Sequence, residues 1–100
     1  MFIAMNRFKI TPGFEVGFEK VWRERDSYLH EVPGFQSFSL LKGPVKEDHV
    51  LYASHSIWDS REAFEAWTES EQFRLAHRQQ SAPKGTYLGH PELEAFDAVL

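Results

Sequence analysis

Three side chains in this sequence have the chemistry to surround a flat, apolar ligand that carries a metal ion. His77 lies in a segment that reads as helix, and a neutral imidazole is the commonest metal ligand that proteins offer. Trp67, ten residues earlier, offers a broad apolar surface. Asn6 is the polar residue on an otherwise apolar strand face, where burying an amide costs free energy unless it finds a partner. A neutral amide can orient a bound group by hydrogen bonding without acting as a strong acid.

Arg25 is a fourth candidate, and it emerges from periodicity. It falls inside the apolar stripe of the first predicted helix, between Trp22 and Leu29. A charge at that position needs an anion or a route to water. An acidic group of the ligand would serve, or the long side chain extends past the stripe into solvent. Arg78, next to His77, is a weaker candidate for the same role.

Each of these residues, taken alone, has an ordinary structural explanation. A helical histidine is more often a surface residue than a metal ligand, and Trp67 alone suggests core packing. Asn6 alone could bond backbone at a strand irregularity. Only their joint occurrence favours a ligand site. Four further histidines are assigned to structural or turn positions: His30, His49, His55 and His90.

Composition limits the classes of protein to which the chain can belong. One hundred residues form one domain, 1–100, with a single core. Aromatic residues make up 15%, including nine phenylalanines, which favours a large core, an aromatic cavity or a buried dimer surface. The net charge of −4 argues against nucleic acid, and the absence of cysteine excludes disulfides and thiolate metal sites. The apolar run at the N-terminus is too short for a signal peptide or a membrane span, so we expect a cytoplasmic protein without membrane partners.

The first half of the chain predicts a strand, a helix and a hairpin. Residues 2–10 alternate, with Phe2, Ala4, Asn6, Phe8 and Ile10 on one face. A helix follows, with Thr11 as its N-cap and Pro12 in its first position, and it runs to about residue 30. Residues 35–42 and 49–58 read as two strands joined by a polar turn at 43–48.

The second half predicts a broken helical segment and a last strand. Asp59 is expected to cap the second helix, with Glu62 completing a capping-box pattern. A break before Ser70 starts a third, short helix that carries His77. A continuous helix would place Trp67 and His77 roughly 15 Å apart. A break between them therefore helps both side chains to contact one ligand. A loop at 81–91 and a strand at 93–100 complete the chain.

This order of elements predicts an α+β protein with the ferredoxin-like βαββαβ plan, an antiparallel sheet with helices on one face. The other sheet face would carry apolar residues that a chain of this length cannot cover: Ile3, Met5, Leu51 and Ile57 or their alternates. Pairing of two sheets solves this problem, so we expect a homodimer, a dimeric α/β barrel.

The chain resembles the antibiotic biosynthesis monooxygenase (ABM) domain and, within it, the IsdG-type haem-degrading monooxygenases. The resemblance runs from Phe2 to about Val99, through Ala4-Met5-Asn6-Arg7-Phe8, Val32-Pro33-Gly34-Phe35, the stretch from Trp58 to Trp67, and the segment from Ser70 to His77. It implies roles for three residues. His77 would be the proximal iron ligand, Asn6 would hydrogen-bond an iron-bound ligand on the distal side, and Trp67 would press the porphyrin out of planarity.

The resemblance also implies an activity, the opening of haem with dioxygen and electrons from an external donor, either a reductase or a small reductant, with release of iron. Arg25 would then meet a haem propionate. Three alternatives stay open at this point. They are a cofactor-independent ABM oxygenase of a phenolic or quinol substrate, a non-enzymatic haem-binding protein, and a dimeric barrel without a ligand.

Overall fold

The computed structural model describes residues 1–25, 28–77 and 82–100, apart from the side chain of His77. The elements, in chain order, are β1 (Phe2–Ile10), α1 (Glu15–Glu24), a 3-10 turn (Leu29–Glu31), β2 (Phe35–Val45), β3 (Val50–Trp58), α2 (Arg61–Thr68), α3 (Glu71–His77) and β4 (Glu92–Asp97). This order confirms the ferredoxin-like plan, with its second helical connection divided between α2 and α3. Within the described ranges no helix could cross a bilayer, since the longest, α1, has 10 residues.

The four strands form one antiparallel sheet in the order β2-β3-β1-β4. The predicted alternation in β1 is confirmed, because Phe2, Ala4, Phe8 and Ile10 are all buried on the helix-facing side. Asn6 lies on the same side, opposite Ser54 of β3 and Leu93 of β4.

The core is divided into two clusters. One cluster contains Phe2, Ala4, Leu29, Val32 and Trp58, and the other contains Phe8, Ile10, Phe18, Val50 and Tyr52. Between them, β1 carries Asn6 and β3 carries Ser54 on the helix-facing side. The smaller polar side chains at this level leave the space between the sheet and the helices unfilled.

The predicted start of the first helix is wrong. Thr11 does not cap it, because its hydroxyl donates to the carbonyl oxygen of Gly85, 2.5 Å away in the loop before β4. Residues 11–14 form a turn in which Gly13 adopts a left-handed φ of 95°. Phe14 occupies the N-cap position, and Pro12 lies outside the helix.

The predicted end of the first helix is wrong too. α1 stops at Glu24, and Arg25 is extended with φ −75° and ψ 131°. Farther on, Tyr28 is left-handed with φ 58°, a conformation that a continuous right-handed helix excludes. Arg25 therefore follows the helix instead of lying within its apolar stripe.

The cap of the second helix was predicted one residue too early. Ser60 is the N-cap of α2, and its hydroxyl oxygen accepts a hydrogen bond from the amide of Ala63 at 3.2 Å. The Asp59 carboxylate instead accepts from the Gln36 side chain at 2.6 Å. Glu62 consequently has no capping-box position. The predicted break is confirmed, since the Ser70 hydroxyl accepts from the amide of Phe73 at the start of α3.

Three strands differ from their predicted bounds, and β3 does so only by starting at Val50 instead of residue 49. β2 continues to Val45, into the turn expected at 43–48, because a register irregularity between Lys42 and Val45 accommodates Gly43 and Pro44. A proline is tolerated there since β2 is an edge strand. β4 spans Glu92–Asp97 rather than 93–100.

The second face of the sheet carries apolar residues, as predicted, and beside them the Arg7–Glu94 ion pair. Ile3 pairs with Ile57 on one side and with Phe96 on the other, and Leu51 lies on the same face. These side chains are only partly covered, and Phe96 is 48% exposed.

Candidate functional site

A cavity of about 330 Å³ lies between the sheet and the helices, at the level that separates the two core clusters. Its floor is formed by Ala4 and Asn6 of β1 and by Ser54 and Ser56 of β3. Aromatic side chains make up much of the wall: Trp22, Phe38, Phe64, Trp67 and Phe73. A mainly apolar cavity with a few convergent polar groups is typical of small-molecule sites.

Asn6 presents an unusual polar group to this floor. Its Oδ1 atom is buried and has no hydrogen-bond partner within the described ranges. An acceptor left in this state normally costs free energy, so its persistence indicates a ligand or a water as the missing partner. The β1 alternation explains its direction, since Asn6 occupies a helix-facing position between Ala4 and Phe8.

Arg25 lines the same cavity from the end of α1. Its Nε atom is buried, and no side chain among residues 1–25, 28–77 and 82–100 accepts a hydrogen bond from it or pairs with its charge. The guanidinium lies over the Trp22 ring. Burial raises the pKa of Tyr87, and the nearby charge of Arg25 partly offsets that rise. The cavity thus has a fixed positive charge in its wall.

Trp67 forms part of the opposite wall, in the last turn of α2. Its ring centre is 5.4 Å from Trp58, 6.0 Å from Phe64 and 4.8 Å from Phe73, the last at an interplanar angle of 81°. These contacts join α2 to the core and to α3, so the indole is held in one orientation.

His77 is the last residue of α3. Its side chain lies outside the described part of the structure, as does Arg78. Two earlier residues of α3, Phe73 and Ala76, line the cavity. The structure therefore brings Asn6, Arg25 and Trp67 to one cavity and brings the helix of His77 to its wall.

Sequence reasoning missed several residues of the cavity. Trp22 was placed only in the apolar stripe of the first helix, but besides packing against the core it lines the cavity and stacks on Phe38, with 5.8 Å between ring centres and 13° between planes. Ser54 and Ser56 were not singled out. Alternation along the third strand would have found both serines, because they share the face of Tyr52 and Trp58. The Trp22–Phe38 stack depends on tertiary structure.

Comparison with known proteins identifies the family to which this antiparallel ferredoxin-like sheet belongs. The family described as antibiotic biosynthesis monooxygenase (ABM) matches residues 1–79. The chain belongs to this family.

More particular similarities lie within it. The heme oxygenase (mycobilin-producing) of Mycobacterium tuberculosis strain CDC 1551 / Oshkosh is 31% identical over 99 residues, which cover 98% of this chain and 89% of that protein. The heme oxygenase (staphylobilin-producing) of Staphylococcus saprophyticus is 25% identical over 84 residues, covering 84% and 80%. The crystal structure of the heme-degrader MhuD from Mycobacterium tuberculosis, with two hemes bound in its active site, superimposes with a TM-score of 0.78 at 28% identity and covers 100% of this chain and 97% of that one.

Proposed function

We propose that this protein is a haem-degrading monooxygenase, for which haem is both substrate and cofactor. The observation that carries the proposal is that one aromatic cavity holds two buried polar atoms, Asn6 Oδ1 and Arg25 Nε, that have no hydrogen-bond partner within the described ranges. Haem is flat and apolar, has two carboxylates at one edge and bears a polar centre, so its chemistry suits this set of groups. The named activities of the relatives support the same assignment.

Haem supplies the iron that reacts with dioxygen, and an external donor, either a reductase or a small reductant, supplies the electrons. The products would be a ring-opened tetrapyrrole and free iron. The protein contributes binding, orientation and a dry cavity. Once haem is bound, the aromatic walls would bury the ring and exclude water from it.

Four residues have assigned roles in this proposal. His77 ligates the iron, a role supported by the position of α3, whose Phe73 and Ala76 line the cavity. Asn6 lies on the sheet side and hydrogen-bonds a group bound there. Trp67 presses on the porphyrin plane, and its packing against Trp58 and Phe73 resists displacement by the ring.

Arg25 is the fourth of these residues and binds a propionate. Its fixed positive charge has no acidic partner within the described ranges, and a carboxylate would provide one. Charge-assisted hydrogen bonds of this kind are about twice as strong as neutral ones. Arg25 would therefore orient the ring within the cavity as well as hold it.

The proposal includes a cytoplasmic homodimer. The apolar sheet face around Ile3, Ile57 and Phe96 would be buried against the same face of a second copy to form a dimeric α/β barrel. No nucleic-acid or membrane partner is proposed.

The test begins with the addition of hemin to the purified protein. A Soret band should appear at stoichiometric hemin and should decay when ascorbate is added in air. The His77→Ala variant should lose or strongly weaken ligation, whereas Asn6→Ala should retain binding and degrade haem more slowly. Failure of the unmodified protein to bind stoichiometric hemin contradicts the proposal.

The same experiment separates the alternatives. A non-enzymatic haem-binding protein would give the bound spectrum, but the band would persist with ascorbate. A cofactor-independent ABM oxygenase would turn over a phenolic or quinol substrate without haem, and its activity would survive the His77→Ala substitution.

A further inference from the structure

Among the described residues, three hydroxyl side chains line the cavity, and two of them already make hydrogen bonds. The Ser56 hydroxyl accepts a hydrogen bond from Trp58 Nε1 at 2.9 Å and donates to the carbonyl of Ala4. The Thr68 hydroxyl donates to the carbonyl of Glu65 at 2.7 Å, within its own helix. Ser54 is different, since its hydroxyl has no hydrogen-bond partner in the part of the chain that the structure describes.

Ser54 is also placed directly beside the buried amide. The register pairs it with Asn6 across β3 and β1, and both side chains face the cavity. Directly opposed residues in an antiparallel pair have their Cβ atoms about 4.5–5.5 Å apart. A hydroxyl both donates and accepts, whereas Asn6 Oδ1 only accepts and has no donor within the described ranges. A single small polar atom between the two side chains could therefore bond to both.

We propose that Ser54 is a second polar residue of the site and that its hydroxyl and the Asn6 amide jointly hold one polar atom above the sheet. In the free protein this atom is a water oxygen, because a polar recess with two or more partners is what an ordered water requires. In the complex the polar atom that the ligand presents on the Asn6 side takes this place. A ligand atom that only accepts, such as the oxygen of carbon monoxide, receives the Ser54 O–H and a side-chain N–H of Asn6, once the amide has turned about its terminal torsion. The statement about the complex rests on the proposed function, whereas the statement about the free protein does not.

Hydrogen bonds from two side chains fix the position of the bound polar atom, whereas a hydrogen bond from Asn6 alone does not. An amide alone can rotate about its terminal torsion, whose preference is broad. With Ser54 as a second anchor, the bound atom is confined to the line between β1 and β3. Ser54 thereby determines the part of the haem ring towards which the bound polar atom points. Its position would therefore influence which bond of the ring is opened.

The sharpest test is an isosteric pair of variants, Ser54→Thr and Ser54→Val. The two side chains have nearly the same shape, both suit a strand, and they differ in the hydroxyl alone. Any difference between them therefore reports the hydroxyl and not the added methyl group or a change in folding.

The first measurement uses the protein without haem. We expect a nuclear Overhauser effect between water and the Asn6 side-chain amide protons in the unmodified protein and in Ser54→Thr, and its loss in Ser54→Val. Persistence of the signal in Ser54→Val, or its absence from the unmodified protein, overturns the proposal for the free protein. Hemin binding has no part in this result.

The second measurement uses the haem-loaded protein and carbon monoxide as the probe. The C–O stretching frequency should be higher in Ser54→Val than in Ser54→Thr, because a hydrogen-bond donor near the bound molecule is lost. The rate of haem degradation should be about two- to tenfold lower in Ser54→Val, as for the loss of one neutral hydrogen bond. Equal frequencies and rates in the two variants overturn the ligand contact. If neither the unmodified protein nor any variant binds hemin, both the proposed function and the ligand contact of Ser54 are wrong. The water measurement still decides whether Ser54 and Asn6 hold a water in the free protein.

Discussion

The guanidinium carbon of Arg25 lies 4.9 Å from the centre of the Trp22 ring, at the end of α1. Stacking on an indole holds the cation in place but gives its N–H groups no acceptor. The buried Nε remains without a partner within the described ranges, so the side chain is positioned in advance for an anion in the cavity.

Substitution of Arg25 by Gln should weaken the binding of hemin by about 10- to 100-fold, the range expected for a lost hydrogen bond to a charged group. Hemin dimethyl ester, which has no free propionates, provides the matched ligand. The unmodified protein should prefer hemin to its ester, and Arg25→Gln should bind the two nearly equally. Titrations followed by Soret absorbance measure all four affinities, and an unchanged preference in the variant contradicts propionate binding by Arg25.

Asn6→Val should raise the free energy of unfolding of the haem-free protein by about 1 kcal/mol, because a β-branched apolar residue replaces a buried acceptor that has no protein partner in the described structure. The same variant should degrade haem more slowly. Urea unfolding measures the first quantity and loss of the Soret band the second. A variant that is both less stable and fully active would show that the amide serves the fold and not the site.

Gly34→Ala should destabilise the protein by more than about 2 kcal/mol. Gly34 has a left-handed φ of 84°, and an added Cβ would lie 2.5 Å from the Cβ of Ala63 in α2. Gly17→Ala is the control, since Gly17 is in α1 with no atom within 4 Å of the added Cβ, and it should stabilise by about 0.5–1 kcal/mol. Thermal unfolding of both variants checks the opposite signs.

The stability of the protein should fall as the pH rises above about 10. Burial and a hydrogen bond donated to Glu19 raise the pKa of Tyr52 above its ordinary value of 10.0. Above that pH the unfolded chain loses the phenolic proton while the folded protein keeps it, so the folded state binds more protons and stability decreases with pH. Below that pH the contribution is constant.

Tyr52→Phe should reduce the steepness of this alkaline decrease in unfolding experiments between pH 9 and 11. Part of the decrease should remain, because burial also raises the pKa of Tyr87. At neutral pH the variant should be less stable by about 1 kcal/mol, since it loses a hydrogen bond. A pH dependence identical to that of the unmodified protein would rule out the Tyr52 contribution.

Ile57→Glu should convert the proposed dimer into a monomer. Ile57 lies opposite Ile3 on the apolar sheet face, and a carboxylate there would be buried without a partner at a sheet-to-sheet interface. Val16→Glu is the control, because Val16 is 81% exposed on α1 and on the other side of the sheet. Sedimentation equilibrium gives the mass of each variant, and a monomeric unmodified protein would contradict the barrel.

The sequence by itself determined the sheet and the faces of its strands. The two-residue period of β1 is a local property, so Phe2, Phe8 and Ile10 could be assigned to one face and Ile3 to the other. The face of Ile57 in β3 stayed open until the strand register paired it with Ile3. The Ser70 cap was equally local, because a hydroxyl bonds to an amide three residues away. The same alternation brought Asn6 to the helix-facing side.

The tertiary structure alone decided where the first helix begins and ends and what surrounds the cavity. Thr11 does not cap the helix because its hydroxyl donates to the carbonyl oxygen of Gly85, 74 residues later. No local sequence pattern predicts a partner so far along the chain. Arg25 reached the cavity wall through the end of α1 and its stacking on Trp22, not through the helical stripe that first drew attention to it. The proximity of Asn6, Ser54, Arg25 and Trp67 likewise depends on strand register and helix packing, which join residues far apart in the chain.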